Sequence, residues 1–479
     1  MIRLRQERGM AMVVALLVTF VVMILSTVVI QQAIHNTTQS GHDRDRVLAV
    51  DAAEAGVDWF YNYLQTTPIT DIAASPYPSA SPVSQTMATA PATAQFDAYA
   101  VYYDAAGQEM VPSTFSNDNY PASVFIRSVG SVNGKHSRAM ETMVKLTPVY
   151  GGFGAAIITE NSLSLQNNLT LNGNVTSDAD IYINSGDLVI RNQPNIYGSV
   201  YIVDGSATLD GNSNIRQDLW AYDAVTINNP SMVTDDVISS VGSVTGNNGT
   251  VGADATAYTA VSGVDVGGTT TVGVLQGHPP SYSLPRICWD TIPGICDGTS
   301  TSWVTDGYYN PGTFTSCDAA KAYILSNPTP PAPYTGIVVR ITPTCAISFA
   351  NKTKVTLNGD LAVFTDGSIS FSQNNTWTGS GSRKKLLLID NYRSGLVCSG
   401  GAYDITTSNN TDFVNADVLF YSPCTINMNN QNVNFGGQVI GGTVNIANQF
   451  TLNFVPVKVP GAGEITSFKE DIAYIREVK

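Results

Sequence analysis

The chain has 479 residues, enough for two or three domains and a substantial core. Only 13% of them are charged, while Gly, Asn, Ser and Thr are abundant, which argues against a helical enzyme and for a β protein with many tight turns. A formal net charge of −14 speaks against a nucleic-acid partner and favours a soluble body.

Residues 1–9 hold Arg3, Arg5 and Arg8 against Glu7 alone, so the short N-terminus is expected to stay cytoplasmic while the rest is exported. From Met10 to Ile30 there is no charge. As a helix this stretch is about 31 Å long, the thickness of bilayer hydrocarbon. A secretion signal would have a shorter apolar stretch and a small-residue cleavage site, so a permanent membrane span is expected. Three-or-four spacing continues through Ile34, Gly41, Leu48, Ala52, Ala55 and Trp59. It predicts one helix over 10–65, with Gly41 as the place where it would bend. An anchor followed by a separate amphipathic helix is the alternative.

The order of "RQERG", "MAMVVALLVTF" and "LAVDAAEAGVDWF" resembles the N-terminal region of type IV pilins, specifically the PilX-type minor pilins. The resemblance covers the span up to about residue 65. It implies that a prepilin peptidase cuts between Gly9 and Met10 on the cytoplasmic side, leaving the helix attached. It also implies other pilins and the inner-membrane assembly machinery as partners, and helix packing through Ala52, Ala53, Glu54, Ala55 and Gly56. Major pilins carry Glu at the fifth mature position, which is Val14 here. That departure implies a minor component more than a shaft subunit.

Residues 66–94 are rich in Pro, Ser, Thr and Ala without a periodic apolar face, and read as a linker. In 95–150, "FDAYAVYYD", "SVFIRSVGSV" and "RAMETMVKLTP" predict a small antiparallel sheet, a short β meander on pattern alone, and the resemblance to pilins implies a small β head domain packed on the helix.

A repeat follows. "LTL" at 169–171, "LVI" at 188–190, "ATL" at 207–209 and "VTI" at 225–227 are 19, 19 and 18 residues apart. "LSL" at 163–165, "IYI" at 181–183, "VYI" at 200–202 and "LWA" at 219–221 form a second series of similar period. Very short strands at this period, separated by Asn and Gly, predict a parallel β-solenoid over 151–270. Residues 271–335 are Pro- and Cys-rich and read as an insertion, with the solenoid resuming over 336–479. Two separate solenoids are the alternative. The fold class is therefore mainly β: a long N-terminal helix, a small antiparallel sheet and a parallel β-solenoid.

The six cysteines, Cys288, Cys296, Cys317, Cys345, Cys398 and Cys424, have no CxxC spacing and lie beyond an export segment. They predict up to three disulfides in an oxidising compartment. Connectivity is not readable from the sequence, and pairing of sequence neighbours is preferred.

Catalytic residues are not expected. Asp235–Asp236 and the Asp412 of "NTD" are the candidates for a polysaccharide-active β-helix enzyme, but they stand in the reverse order to pectinase-like hydrolases. Asp178 and Asp180 have the hard oxygens that Ca²⁺ takes; the alternative is a solvated turn, and no other cofactor is expected. Trp289, Trp303, Tyr308 and Tyr309 are read either as a sugar- or protein-stacking surface or as the insertion's own core.

These readings converge on a minor pilin or pilin-like component of a type IV filament system. It would be a single-pass membrane protein whose solenoid is displayed outside for adhesion, priming or a tip role, with a surface glycan or protein as a further partner. A membrane-anchored adhesin unrelated to pili is the alternative, and a β-helix enzyme a third.

Overall fold

The computed structural model describes residues 4–74, 82–89, 92–115, 120–134, 136–151, 153–173, 178–289, 300–342, 346–393, 395–408, 410–429, 433–462 and 465–478. It divides into two units, residues 1–149 with 465–479, and 150–464.

In the first unit Leu4–Thr66 is one helix, α1, which passes Gly41 without interruption. Within the span read as a linker, Ile69–Ala74 forms a short helix, α2, and Val83–Thr89 a strand, β1. Strands β2 (Ala92–Tyr103), β4 (Ser123–Val132) and β5 (His136–Tyr150) follow, with β3 (Glu109–Met110) beside β2. They pair antiparallel in the order β1-β2-β4-β5. The neighbour of β5 is the final strand, Ile465–Val478, which the sequence reading had included in the solenoid. Its charges fit this place: Arg476 reaches Glu141 at 2.8 Å, Arg138 reaches Glu477 at 3.3 Å, and Thr142 donates to the Tyr474 carbonyl.

The second half of α1 lies on this sheet because its spacing presents Ala49, Ala52, Ala53, Val57, Phe60 and Leu64 on one buried stripe. The approach is close. A Cβ at Gly130 would lie 2.0 Å from the Ala49 carbonyl oxygen and 2.5 Å from the Ala53 nitrogen.

The second unit is a parallel β-solenoid with three short strands in a typical rung. Alternation in strands such as Leu188–Arg191 and Val225–Asn228 puts apolar residues inward, where equivalent positions stack from rung to rung. The register corrects the repeat at its start. Leu188 pairs with Leu163, not with Leu169, and Ile181 pairs with Ile157. The first spacing is 25 residues, from Leu163 to Leu188, and the regular period begins only after it.

Rung order differs from chain order. Rungs run from 157–172 through 181–196, 200–215, 219–233, 237–251 and 255–266 to 270–272. A second series runs from 336–357 through 360–379, 384–414 and 416–435 to 436–454. The last rung of this second series then stacks on the first rung of the other: Val444 pairs with Leu163, and Leu452 with Leu171. One stack results, with the chain's later half preceding its earlier half. The stretch read as an insertion includes the far end of this stack. Tyr308–Tyr309 and Thr313–Phe314 pair with the strand 336–341, and the helix Cys317–Leu325, N-capped by Ser316, buries Ala320 and Ile324 in the core.

Residues 273–289 must therefore travel back along the stack, and they do. The Ser240 hydroxyl donates to the Gly277 carbonyl, and His278 stacks on Tyr222 with centroids 3.9 Å apart. Tyr282 packs near Tyr182, Tyr421 donates to the Pro285 carbonyl, and Trp289 donates its backbone N–H to Asn391. Nine rungs at about 4.8 Å span about 43 Å, within the roughly 53 Å that sixteen extended residues can reach. The strap covers a second apolar core on the outside of one face, which includes Ile158, Phe364, Leu387, Leu419 and Ile440.

Candidate functional site

The apolar half of α1 is the first candidate. Met10 is 70% exposed, Val14 57% and Phe20 63%, and nothing of the apolar window is buried. Among the described residues this is the one helix long and apolar enough to cross a membrane. Gly9 and Met10 both lie within the helix. Ala52, Ala53 and Gly56 face the chain's own sheet, where a Gly56 Cβ would come within 2.1 Å of the Ser128 hydroxyl. Ala55 is half-buried and Glu54 exposed. The small residues of this segment thus make an intramolecular helix–sheet contact.

Acidic residues in the solenoid form ladders. Asp180 accepts the backbone N–H of Ser199 at 2.8 Å, Asp218 that of Asp236 at 3.1 Å, Asp236 that of Asp254 at 3.0 Å, and Asp254 that of Thr269 at 2.7 Å. Each carboxylate satisfies a turn amide of the next rung. Burial pushes the Asp180 carboxyl above its ordinary value against the lowering effect of the Ser199 amide, with Asp178 and Asp218 adding repulsion. Among the described residues no group of three or more His, Cys, Asp or Glu is placed to hold a metal ion.

The candidate enzyme acids do not meet. Asp236 is engaged in that ladder, and Asp412 begins a strand six rungs away, about 29 Å at about 4.8 Å per rung. Acid–base pairs in glycoside hydrolysis stand about 5–9.5 Å apart.

Asparagines hold another corner. Asn448, Asn167 and Asn192 all have left-handed φ, between 58° and 62°, and their amides link in sequence: Asn192 to Asn167 at 2.8 Å, and Asn167 to Asn448. This ladder crosses the joint between the two series of rungs.

Of the aromatics singled out in the insertion, Trp289, Trp303 and Tyr308 are buried and Tyr309 is half-buried. Trp303 is 1% exposed and packs edge-on to Tyr308 and Phe364, at 4.9 and 5.3 Å; Trp289 also meets Phe364. Tyr309 packs against the main core. Cys398 and Cys424 form a disulfide, and Cys288 and Cys317 are each disulfide-bonded. Cys296 and Cys345 lie outside the described residues.

Sequence reasoning missed a buried polar cluster. Arg340 grips Asp366 with two hydrogen bonds of 3.0 and 3.1 Å, Asn391 donates to Asp366 at 2.9 Å, and Asn391 in turn accepts the Trp289 amide of the strap. Beside it Asp390 is fully buried, with neither carboxyl oxygen hydrogen-bonded among the described residues. Burial pushes its pKa up to about 9, against the lowering influence of Arg393 and with added repulsion from Asp366 and Asp404. The signal lay in the strands "GIVVRI", "LAVFTDG" and "KKLLLIDN", whose charges fall at adjacent ends once the strands are set in register.

No family model matches the chain, and no curated protein does. Among solved structures the chain is similar to the competence-associated pilin ComZ from Thermus thermophilus, at 10% identity and a TM-score of 0.31, covering 91% of this chain and 97% of that one. It is also similar to an ice binding protein from an Antarctic Flavobacteriaceae bacterium, at 13% identity and a TM-score of 0.19, covering 62% and 82%. TM-scores of this size do not establish a shared fold.

Proposed function

We propose that the protein is a pilin-like, membrane-anchored component of a type IV filament system, of the minor PilX type, whose solenoid is displayed outside the cell. The observation that carries this reading is α1 itself. Its stretch from Met10 to Ile30 is uncharged and its apolar window is exposed, while its second half is fixed to an antiparallel sheet by Ala52, Ala53 and Gly56. Such a rod moves from bilayer to filament without unfolding the body it carries. The basic residues Arg3, Arg5 and Arg8 keep the N-terminus cytoplasmic, and a prepilin peptidase cuts after Gly9. Partners are other pilins and the assembly machinery. The solenoid acts by surface contact with a glycan or protein, without catalysis or a cofactor.

Mass analysis of the N-terminus in sheared surface filaments tests this. The expected result is a chain beginning at Met10, with Gly9→Leu leaving the longer form and blocking incorporation. A chain that keeps Met1 and is found only in membranes overturns the filament reading and leaves an anchored adhesin.

A further inference from the structure

The two ends of the solenoid are finished differently. At one end the helix Cys317–Leu325 covers the core. At the other, the last turn of the solenoid consists of Val261–Val266, which ends one rung, and Thr270–Val272, which begins the next; both pair only backward, with 244–251 and 255–257, among the described residues. Their outer N–H and C=O groups face outward as an open edge. Val272, Val274 and Leu275 are 50%, 44% and 65% exposed there, and Tyr258 is 48% exposed. Stacked-repeat proteins ordinarily close such an end with a polar cap, and exposed edges are ordinarily blunted by Lys or Pro. From 255 to 278 there is no Lys, Arg or Pro, and Asp265 is the sole charge.

We infer that this end is a self-association surface, occupied by the same end of a second copy of the chain. The shape of the edge selects the occupant. It turns corners at Gly263, with φ of 70°, and at Gly267–Gly268, so an extended peptide could follow only one straight segment of it. Another end rung matches all segments at once. A two-fold axis through Thr271 sets Thr270–Val272 antiparallel to its own copy. The same axis sets the first half of Val261–Val266 against the partner's second half, the isologous arrangement of a symmetric dimer. Asp265 lies between Val264 and Val266, which pack on the core, so its carboxylate points to the rim and the apposed surfaces are uncharged. One rung edge buries far less than the about 800 Å² per partner of a standard interface. The contact is therefore weak in dilute solution and is favoured where copies are held close together. It does not depend on the filament reading.

Site-directed cross-linking of the full chain in membranes tests it, since the described cysteines are already disulfide-bonded. Thr271→Cys should give a disulfide-linked species of twice the mass under mild oxidation, in a yield that rises with protein density. Adding Val272→Lys to Thr271→Cys should reduce that yield at least fivefold. Lys352→Cys, near the opposite end, should give no more than background. Thermal melting of the reduced Thr271→Cys chain should match the parent, which separates loss of contact from loss of fold. A Thr271→Cys chain that melts normally but stays monomeric, cross-links no better than Lys352→Cys, or links to a different protein overturns the inference.

Discussion

Asp390 should make the solenoid lose stability as pH rises. Its carboxyl is fully buried, and Thr365, its neighbour in the preceding rung, already accepts the Gly367 amide. With a folded pKa of about 9 against an ordinary 3.8, the folded chain holds a proton that the unfolded chain releases throughout that window. Stability attributable to this group is therefore greatest below about pH 4 and falls until about pH 9. At about 1.36 kcal/mol per unit, the cost at pH 7 is on the order of 4 kcal/mol. Asp390→Asn keeps the size and polarity but cannot ionise. Melting of the parent and of Asp390→Asn, in detergent, should be compared from pH 5 to pH 9. Every other titrating group is common to both chains, so their difference isolates Asp390. The gain from Asp390→Asn grows from about 2 kcal/mol at pH 5 to about 6 kcal/mol at pH 8, so the variant should melt a few degrees above the parent at pH 5 and roughly 10 °C above it at pH 8, at about 2 °C per kcal/mol for a large body. A constant gap across the range would refute the reasoning.

Three further outcomes are expected. Gly130→Val drives a side chain into the α1 backbone and should cost about 1–3 kcal/mol, read as earlier melting of the first unit and faster proteolysis of α1. Replacing Cys398 and Cys424 together by Ser opens a loop of sequence separation 26 and should cost about 3 kcal/mol, read in denaturant. Asp236→Ala removes one rung-to-rung hydrogen bond to the Asp254 amide and should cost about 1 kcal/mol, with faster hydrogen exchange at Asp254.

The rungs were legible because inward residues alternate and recur, as in Leu188, Ala207 and Val225, a pattern that follows directly from pleat and stacking. Their order was not. A rung edge is backbone, and any rung's N–H and C=O groups accept any other's, so the period says nothing about which rung meets which. That is why the pairing of Val444 with Leu163 could not be read from the chain. The misaligned start has a similar cause: "LSL" and "LTL" are interchangeable by pattern, and the register turns on a first spacing of 25 residues, from Leu163 to Leu188, that breaks the period. The final strand did carry a signal, since "SFKEDIAYIREVK" is rich in charge where rungs are rich in Asn and Gly. Ala52, Ala53 and Gly56 of the AAEAG segment lie against the chain's own sheet, whose contacts begin at Phe96, about 40 residues on, a partner that spacing within the helix does not name. The Arg340–Asp366 pair and Asp390 were hidden because each charge ends an apolar strand, where a solvated turn is the ordinary reading.

The permuted order of rungs bears on synthesis. The segment 157–172 emerges early, yet one of its two flanks stays bare until 433–454 has been made, nearly three hundred residues later. Growth of the body cannot simply follow the ribosome. A chain halted before its final rung would present sticky strands at the waist of the half-built column, an attractive target for quality-control proteases and a seed for clumping with its siblings.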